Sequence, residues 1–186
     1  FGISLIVHAG WYMAWPTFFI AQVTYMRADE SWLGYLTVSA SILQWLSVKP
    51  WGKYVERHGT RKALAIGSVG LALNPLFTVF CIYLPVPFQL PILLALGLLN
   101  ACTFGAFQIS ILQCLLEVIP VRFRALNLSV YSSALLTANA VMPMFAVWIY
   151  SAFGTNLLAL TISMSTATAI RLIGAVLFVV HWLNLR

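Results

Sequence analysis

Charged residues are scarce in this sequence. Ten lysines and arginines and four acidic residues are all that 186 residues carry, and 62% of the chain is hydrophobic. A soluble domain has about 25% charged residues, which it needs to cover its water-facing surface. A bilayer removes that need, because the outer surface of a membrane protein can be as apolar as its core. The composition therefore excludes an ordinary soluble domain and indicates an integral membrane protein.

Cysteine is also rare, and its pattern excludes the common uses of that residue. Cys81, Cys102 and Cys114 all lie inside apolar segments, with no C-x-x-C spacing and no histidine nearby. This pattern favours small packing residues over a metal or redox site. The sequence also lacks a Ser/His/Asp set, a metal-ligand cluster and a phosphate-binding loop. We therefore predict no enzymatic activity, no metal and no cofactor.

Long apolar stretches dominate what is present. A helix needs about 20 mostly apolar residues to cross about 30 Å of hydrocarbon, and six stretches meet this requirement. The predicted fold class is an all-α integral membrane protein, a six-transmembrane-helix bundle forming one domain over residues 1–186. The predicted spans are residues 2–25, 32–51, 63–84, 91–118, 126–152 and 160–183, with the start of the last one open between Leu157 and Met164.

The basic residues give this bundle an orientation. The net charge is +6, but the cations fall in short runs between apolar stretches, which argues against nucleic-acid binding. The turns after the second and fourth spans hold Lys53, Arg57, Arg61, Lys62, Arg122 and Arg124, and Arg186 falls on the same side. The other three turns hold Arg27 alone. The positive-inside rule therefore places residues 52–62 and 119–125 in the cytoplasm.

The segment GKYVERHGTRK, residues 52–62, is the most informative stretch of the chain. It resembles the signature loop of the major facilitator superfamily, G-x-x-x-D-R-x-G-R-R, which joins the second and third helices of each six-helix half. The matching positions are Gly52, Glu56, Arg57, Gly59, Arg61 and Lys62. Glu56 replaces the usual aspartate, and Thr60 replaces the first residue of the basic pair. Glycine suits the turn, and arginines can form forked bonds to carboxylates.

A second stretch, residues 117–124, resembles the E-x-x-P-x-x-x-R pattern that ends the fourth helix of a superfamily half. A carboxylate removed from water near the bilayer surface needs a cation, and Arg57, Arg61 and Arg124 are candidates for Glu117. The resemblance implies a cytoplasmic ion-pair network that latches the helices in one transport state. The predicted members are Gly52, Glu56, Arg57, Gly59, Arg61, Lys62, Glu117 and Arg124. A free glutamate at headgroup level is the alternative.

The resemblance implies that this chain is one of two halves related by an axis along the membrane normal. N-terminal halves often carry a buried arginine early in their fourth helix, and residues 98–105 have none. The chain also starts without methionine and ends just after the sixth span. We therefore expect the C-terminal half, helices 7–12, with a second six-helix half as its partner, in a bacterial inner membrane.

In this family the first and fourth helices line the central cavity, whereas the third and sixth face lipid. Polar and aromatic residues recur at helical spacing on those first and fourth spans. The candidate cavity residues are His8, Tyr12, Trp15, Phe19 and Gln22 on the first span, and Asn100, Phe104, Phe107 and Gln108 on the fourth. Helix packing explains an aromatic stripe equally well, so both interpretations stay open.

Arg171 is the unusual residue of the sixth span, because a charge inside a membrane costs several kcal/mol. It could snorkel, bond to a carbonyl of its own bundle, or meet an acid in the other half. No carboxylate of this chain can be assigned to it, because all four lie near predicted surfaces. A proton-coupling group is also hard to find, with only His8 and His181 as candidates.

The predicted function is secondary active transport of a small solute by alternating access. The alternative is a transport-inactive superfamily member that acts as a membrane scaffold or assembly factor for a protein or pigment complex. The predicted partners are the lipid bilayer, a second half and an unidentified small molecule.

Overall fold

The structure is a computed structural model that describes the backbone of residues 2–184 and the side chains of residues 2–181. It is an all-helical bundle, with no strand among the described residues. The helices are α1 (Gly2–Ile20), α2 (Glu30–His58), α3 (Thr60–Ile82), α4 (Val86–Val118), α5 (Arg124–Ala152) and α6 (Leu157–Asn184). A π-helical turn, Ala21–Tyr25, extends α1, and a 3-10 turn, Val121–Phe123, precedes α5. The predicted fold class is confirmed. Arg186, used above for the orientation, lies outside the described residues.

Five helical segments of the described chain are long and apolar enough to cross a membrane. They are Gly2–Tyr25, Thr60–Ile82, Val86–Val118, Val121–Ala152 and Leu157–His181. The remaining helix, α2, is long enough but less apolar, because it carries several serines, Gln44 and Lys49. Its exposed surface is nevertheless rich in large apolar side chains, among them Val38, Ile42 and Trp45. Such a surface is compatible with lipid.

The helices pack in the spatial order α2, α4, α3, α6, α1, α5. α3 lies in the middle of this order and is the most buried of the candidate spans, whereas α5 is the least buried. Between α1 and α4, aromatic side chains bridge the gap, with the rings of Trp11 and Phe104 4.7 Å apart. The space between α1, α2, α3 and α4 is partly open.

Glycine permits the closest helix contacts. A Cβ added at Gly67 of α3 would lie 2.6 Å from the backbone nitrogen of Phe107 in α4. A Cβ at Gly10 of α1 would lie 2.8 Å from Cγ of Arg171 in α6. Small residues let helix backbones approach closely in lipid, where packing rather than water exclusion drives association. These two contacts tie the central helices together.

The junction between α2 and α3 is shorter than the sequence pattern suggests. Residues 52–58, which we expected to belong to a loop, form the last turns of α2, and only Gly59 separates the two helices. The segment is rich in residues that favour a helix, such as lysine, glutamate and arginine. Gly59 has φ 86° and ψ 152°, a conformation open to glycine and costly for other residues. The reversal of the chain therefore depends on Gly59.

Replacing Gly59 with alanine is expected to destabilise the protein by about 1–2 kcal/mol, because a Cβ disfavours positive φ. The thermal unfolding midpoint of the detergent-solubilised protein measures the effect. Gly34→Ala is the matched control, because Gly34 lies inside α2 and a Cβ there would meet nothing within 4 Å. Equal midpoints for the two variants would contradict the assigned role of Gly59.

Candidate functional site

The two sequence motifs meet at one end of the bundle. The Thr60 hydroxyl, at the start of α3, donates a hydrogen bond of 2.8 Å to Oε1 of Glu117, near the end of α4. Thr60 is the position at which the signature pattern has a basic residue. Among the described residues, the hydrogen-bond partner of the Glu117 carboxylate is thus a threonine hydroxyl rather than an arginine. The ion-pair network stays a prediction.

Arg124 joins this end of α4 to the start of α5. Its Nη2 donates to the carbonyl oxygen of Leu116 at 3.1 Å, and its Nε donates to that of Ile119 at 3.5 Å. The last carbonyls of a helix have no partner within the helix and carry partial negative charge. An arginine at this position therefore satisfies the end of α4.

We call Glu56, Thr60, Glu117 and Arg124 the junction cluster. These four residues line a shallow depression of about 490 Å³ where α2, α3, α4 and α5 meet. A deeper cavity of about 180 Å³ lies beside it, and Arg61, Cys114, Glu117 and His181 contribute its charged and titratable groups.

The other predicted members of the network lie around this cluster at the end of α2 and the start of α3. Arg57 and Gly59 are exposed, whereas Gly52 and Lys62 are half-buried. The structure thus brings the two motifs to one end of the bundle, where the Lys53 and Arg57 side chains of α2 are exposed.

The predicted cavity residues of the first span begin at His8, and other side chains cover this end of the row. His8 is buried, and its Nδ1 lies 2.8 Å from the carbonyl oxygen of Ser4. The Ser4 hydroxyl lies 2.6 Å from the hydroxyl of Tyr131 in α5. The rings of His8 and Phe107 are 5.3 Å apart. His8 and Phe107, both predicted to line a cavity, therefore pack inside the bundle in this structure.

The half of the bundle remote from the junction cluster contains an open cavity of about 480 Å³ between α1, α2, α3 and α4. We call it the outer cavity because it lies away from that cluster. Its aromatic lining comes from α1, as Trp11, Trp15, Phe18 and Phe19. Its polar lining consists of Gln22, Thr37, Asn74, Thr78 and Asn100. Of the nine predicted cavity residues, Trp15, Phe19, Gln22 and Asn100 border this space.

The remaining predicted residues lie elsewhere. Tyr12 is half-buried and stacks on Trp11, with ring centroids 5.6 Å apart. Phe104 is half-buried against Trp11, and Gln108 is exposed on α4. None of these three borders the outer cavity.

The sequence reasoning missed Asn74 and Thr78, because the resemblance assigns the third helix to lipid. In the structure the face of α3 that carries them borders the outer cavity instead. The sequence feature that could have indicated this part of the cavity was Asn74, a carboxamide inside an apolar span.

Arg171 lies in the centre of the bundle and is completely buried. Its Nη1 donates to the carbonyl oxygen of Leu71 in α3 at 2.7 Å, and its Nη2 donates to that of Trp11 in α1 at 3.3 Å. The Leu71 carbonyl is free because Pro75, four residues later, has no N–H to donate to it. Among the three possibilities raised by the sequence, the structure shows the bond to carbonyls of the same bundle. This arginine joins α6 to α1 and α3.

The structure is a bundle of apolar helices with a polar and aromatic cavity between them. These features are typical of a polytopic membrane protein with an internal space large enough for a small solute. The sequence matches the model of the Major Facilitator Superfamily over residues 1–184. The chain therefore belongs to the major facilitator superfamily and is an integral membrane protein of a transporter superfamily. Comparisons with curated proteins and with solved structures gave no significant match.

Proposed function

We propose that this chain is one half of a secondary transporter, which moves a small solute by alternating access together with a second six-helix half. The outer cavity is the observation that carries the proposal. It is an open space of about 480 Å³ within an apolar bundle, bordered by three carboxamides that have no side-chain hydrogen bond among the described residues. Exposing amides in lipid is costly, which favours a water- or solute-filled space.

The proposed location is a bacterial inner membrane, with residues 52–62 and 119–125 in the cytoplasm. The Thr60–Glu117 hydrogen bond supports a common side for these two segments, because it joins the α2–α3 junction to the end of α4. The cations of both segments thus gather at one end of the bundle, as the positive-inside rule requires for a cytoplasmic face. The outer cavity then opens toward the opposite side.

The junction cluster is the proposed cytoplasmic gate. The Glu117 carboxylate bonds to Thr60, and Arg61 borders the same 180 Å³ cavity as Glu117. A small movement of α3 against α4 would exchange the threonine hydroxyl for an arginine as the partner of Glu117. Both bonds have the charged carboxylate as acceptor, but an arginine adds an opposite charge and a second, forked bond, so this exchange can bias one transport state.

Reconstitution of the full natural polypeptide that contains these residues tests the proposed function. Uptake of radiolabelled solutes into proteoliposomes is measured across sugars, amino acids, organic cations and organic anions. We expect saturable uptake of at least one class. If no solute moves and the protein co-purifies with a defined complex, the scaffold alternative replaces this proposal.

Arg61→Ala and Glu117→Gln are each expected to lower the uptake rate about tenfold, because a gate coupling is typically worth about 1–3 kcal/mol. Lys53→Ala is the matched control, since Lys53 is an exposed cation near the same end of the bundle, outside the proposed network. Uptake that falls equally in all three variants would indicate a general effect of positive charge. Unchanged uptake in the first two would end the gate hypothesis.

A further inference from the structure

The outer cavity has a lining without ionisable groups. Every residue bordering it is apolar, aromatic, a carboxamide or a hydroxyl residue, with no acid, lysine, arginine or histidine. The cavity is also remote from the charged end of the bundle. Asn74 and Thr78 lie 14 and 18 residues after Thr60 along α3, which corresponds to about 21–27 Å of helix. A charged ligand would therefore find no counter-charge in the lining itself. Arg171 lies behind the lining, with Cζ 6.0 Å from the centroid of the Phe18 ring, and Arg27, Asp29 and Glu30 lie between Gln22 and Leu33 in the chain.

The carboxamides of this lining lack partners. Asn100 Oδ1 is buried and has no hydrogen bond among the described residues. Asn74 and Gln22 border the same space from α3 and from the π-helical turn, and their side chains form no hydrogen bond with described residues either. Buried polar groups are almost always paired, and an unpaired one costs about 1–3 kcal/mol. That cost applies to Asn100 Oδ1, whereas Asn74 and Gln22 are half-buried and reach the same space, so all three are positioned for water or for a hydrogen-bonding solute.

A carboxamide offers one acceptor oxygen and two N–H donors. A hydroxyl group has one O–H donor and can accept two hydrogen bonds. A carboxamide can therefore bond to a hydroxyl either as donor or as acceptor. An isolated carboxylate or ammonium needs several bonds of one polarity. Three separate amides, from the π-helical turn, α3 and α4, therefore match a solute that carries several hydroxyl groups around its edge.

The aromatic side supplies flat faces. Trp15 is 61% exposed and Phe19 is 60% exposed, although both border the cavity. Aromatic faces carry partial negative charge and attract the positively polarised C–H groups of a ring. The combination of aromatic faces on α1 and amides on neighbouring helices thus presents an apolar face and a polar edge to the same ligand.

We propose that the outer cavity binds a neutral, hydroxyl-rich solute of the monosaccharide class. Asn100, Asn74 and Gln22 bond its hydroxyl groups, and Trp15 covers one of its C–H faces. This inference rests on the proposed transport function and names the substrate class of that site.

Glucose, glucosamine and gluconate provide the sharpest test, because they share a carbon skeleton and differ in charge. Binding to the purified full-length protein is measured by tryptophan fluorescence and calorimetry, with neutral pentoses, hexoses and polyols completing the panel. We expect saturable binding by neutral members of the panel. Binding confined to glucosamine or another cation, or confined to an anion, overturns the proposal, as does the absence of binding by any neutral member.

Asn100→Leu is expected to weaken the binding of the neutral ligand at least about tenfold, as for the loss of one well-placed hydrogen bond. Gln108→Leu is the matched control, because Gln108 is an exposed carboxamide of the same helix that does not border the cavity. If Asn100→Leu fails to fold, Gln22→Leu makes the same test from the π-helical turn. Equal binding by the cavity and control variants would overturn the assignment.

Uptake separates the two proposals. If proteoliposomes accumulate a charged solute and Asn100→Leu leaves that uptake unchanged, the transport function stands and the substrate class is wrong. If no solute in any class is taken up, the transport function fails. Neutral binding that is lost in Asn100→Leu without any uptake would keep the site and remove the transport.

Discussion

Replacing Arg171 with alanine is expected to destabilise the protein by about 3 kcal/mol or more. The completely buried side chain fills the space between α6, Gly10 of α1 and Leu71 of α3. Truncation leaves a cavity, which typically costs about 2–5 kcal/mol for a long core side chain. It also leaves the Leu71 carbonyl without a partner, because Pro75 cannot supply one. The thermal unfolding midpoint in detergent should fall by roughly 10 °C.

Arg171→Met separates packing from charge. Methionine refills most of the volume and removes the cost of burying an uncompensated guanidinium, which opposes the loss of the two hydrogen bonds. We therefore expect Arg171→Met to lie closer to the unchanged protein than Arg171→Ala does. An alanine variant as stable as the methionine variant would show that the space around Arg171 collapses freely, against the packing seen here.

Pro75→Ala tests the carbonyl bond directly. Alanine at position 75 supplies an N–H to the Leu71 carbonyl, so this oxygen no longer depends on Arg171. The cost of Arg171→Met should then be smaller by about 1 kcal/mol in the Pro75→Ala background than in the unchanged protein. Additive effects of the two substitutions would exclude this role of the Leu71 bond.

The burial of Arg171 could be predicted from the sequence, whereas its hydrogen-bond partners could not. Its place within an apolar span identifies it as a buried charge from composition alone. Its partners are backbone carbonyls, and every residue has one, so no side-chain pattern can reveal them. Pro75 is a local sequence feature that bears on this bond, because a proline leaves the carbonyl four residues before it without a backbone donor. It identifies the partner of Arg171 only when the packing of α6 against α3 is known.

The same limit applies to the cavity face of α1. Helical periodicity groups His8, Tyr12, Trp15, Phe19 and Gln22 on one side of the helix, and their spacing follows from the sequence. Periodicity does not say where a neighbouring helix covers that side. In the structure α4 and α5 close it around His8, and it opens only beyond Tyr12. The number of helices was predictable because apolar length is a local property, whereas coverage is a property of the whole bundle.

The contact between α3 and α4 gives the second large effect. A Cβ at Gly67 would lie 2.6 Å from the nitrogen and 2.9 Å from Cα of Phe107, and 3.0 Å from the carbonyl oxygen of Thr103. All three atoms belong to the backbone, so no side-chain rotation can relieve the overlap. Overpacking of a well-packed core typically costs about 1–3 kcal/mol. We therefore expect Gly67→Ala to destabilise the protein by about 2 kcal/mol, and Gly67→Val to destabilise it further.

Gly97→Ala is the matched control, because it makes the same change in α4 at a position where a Cβ meets nothing within 4 Å. Alanine is the better helix former by about 1 kcal/mol, so this variant should be neutral or slightly stabilised. Hydrogen exchange locates the effect, since Gly67→Ala should loosen amides of α3 and α4 near Phe107 and leave those of α5 unchanged. If Gly67→Ala and Gly97→Ala have the same unfolding midpoint, α3 and α4 can move apart at Gly67 without a loss of stability. The Thr60–Glu117 bond, at the end of the same interface, could then not hold the two helices in register.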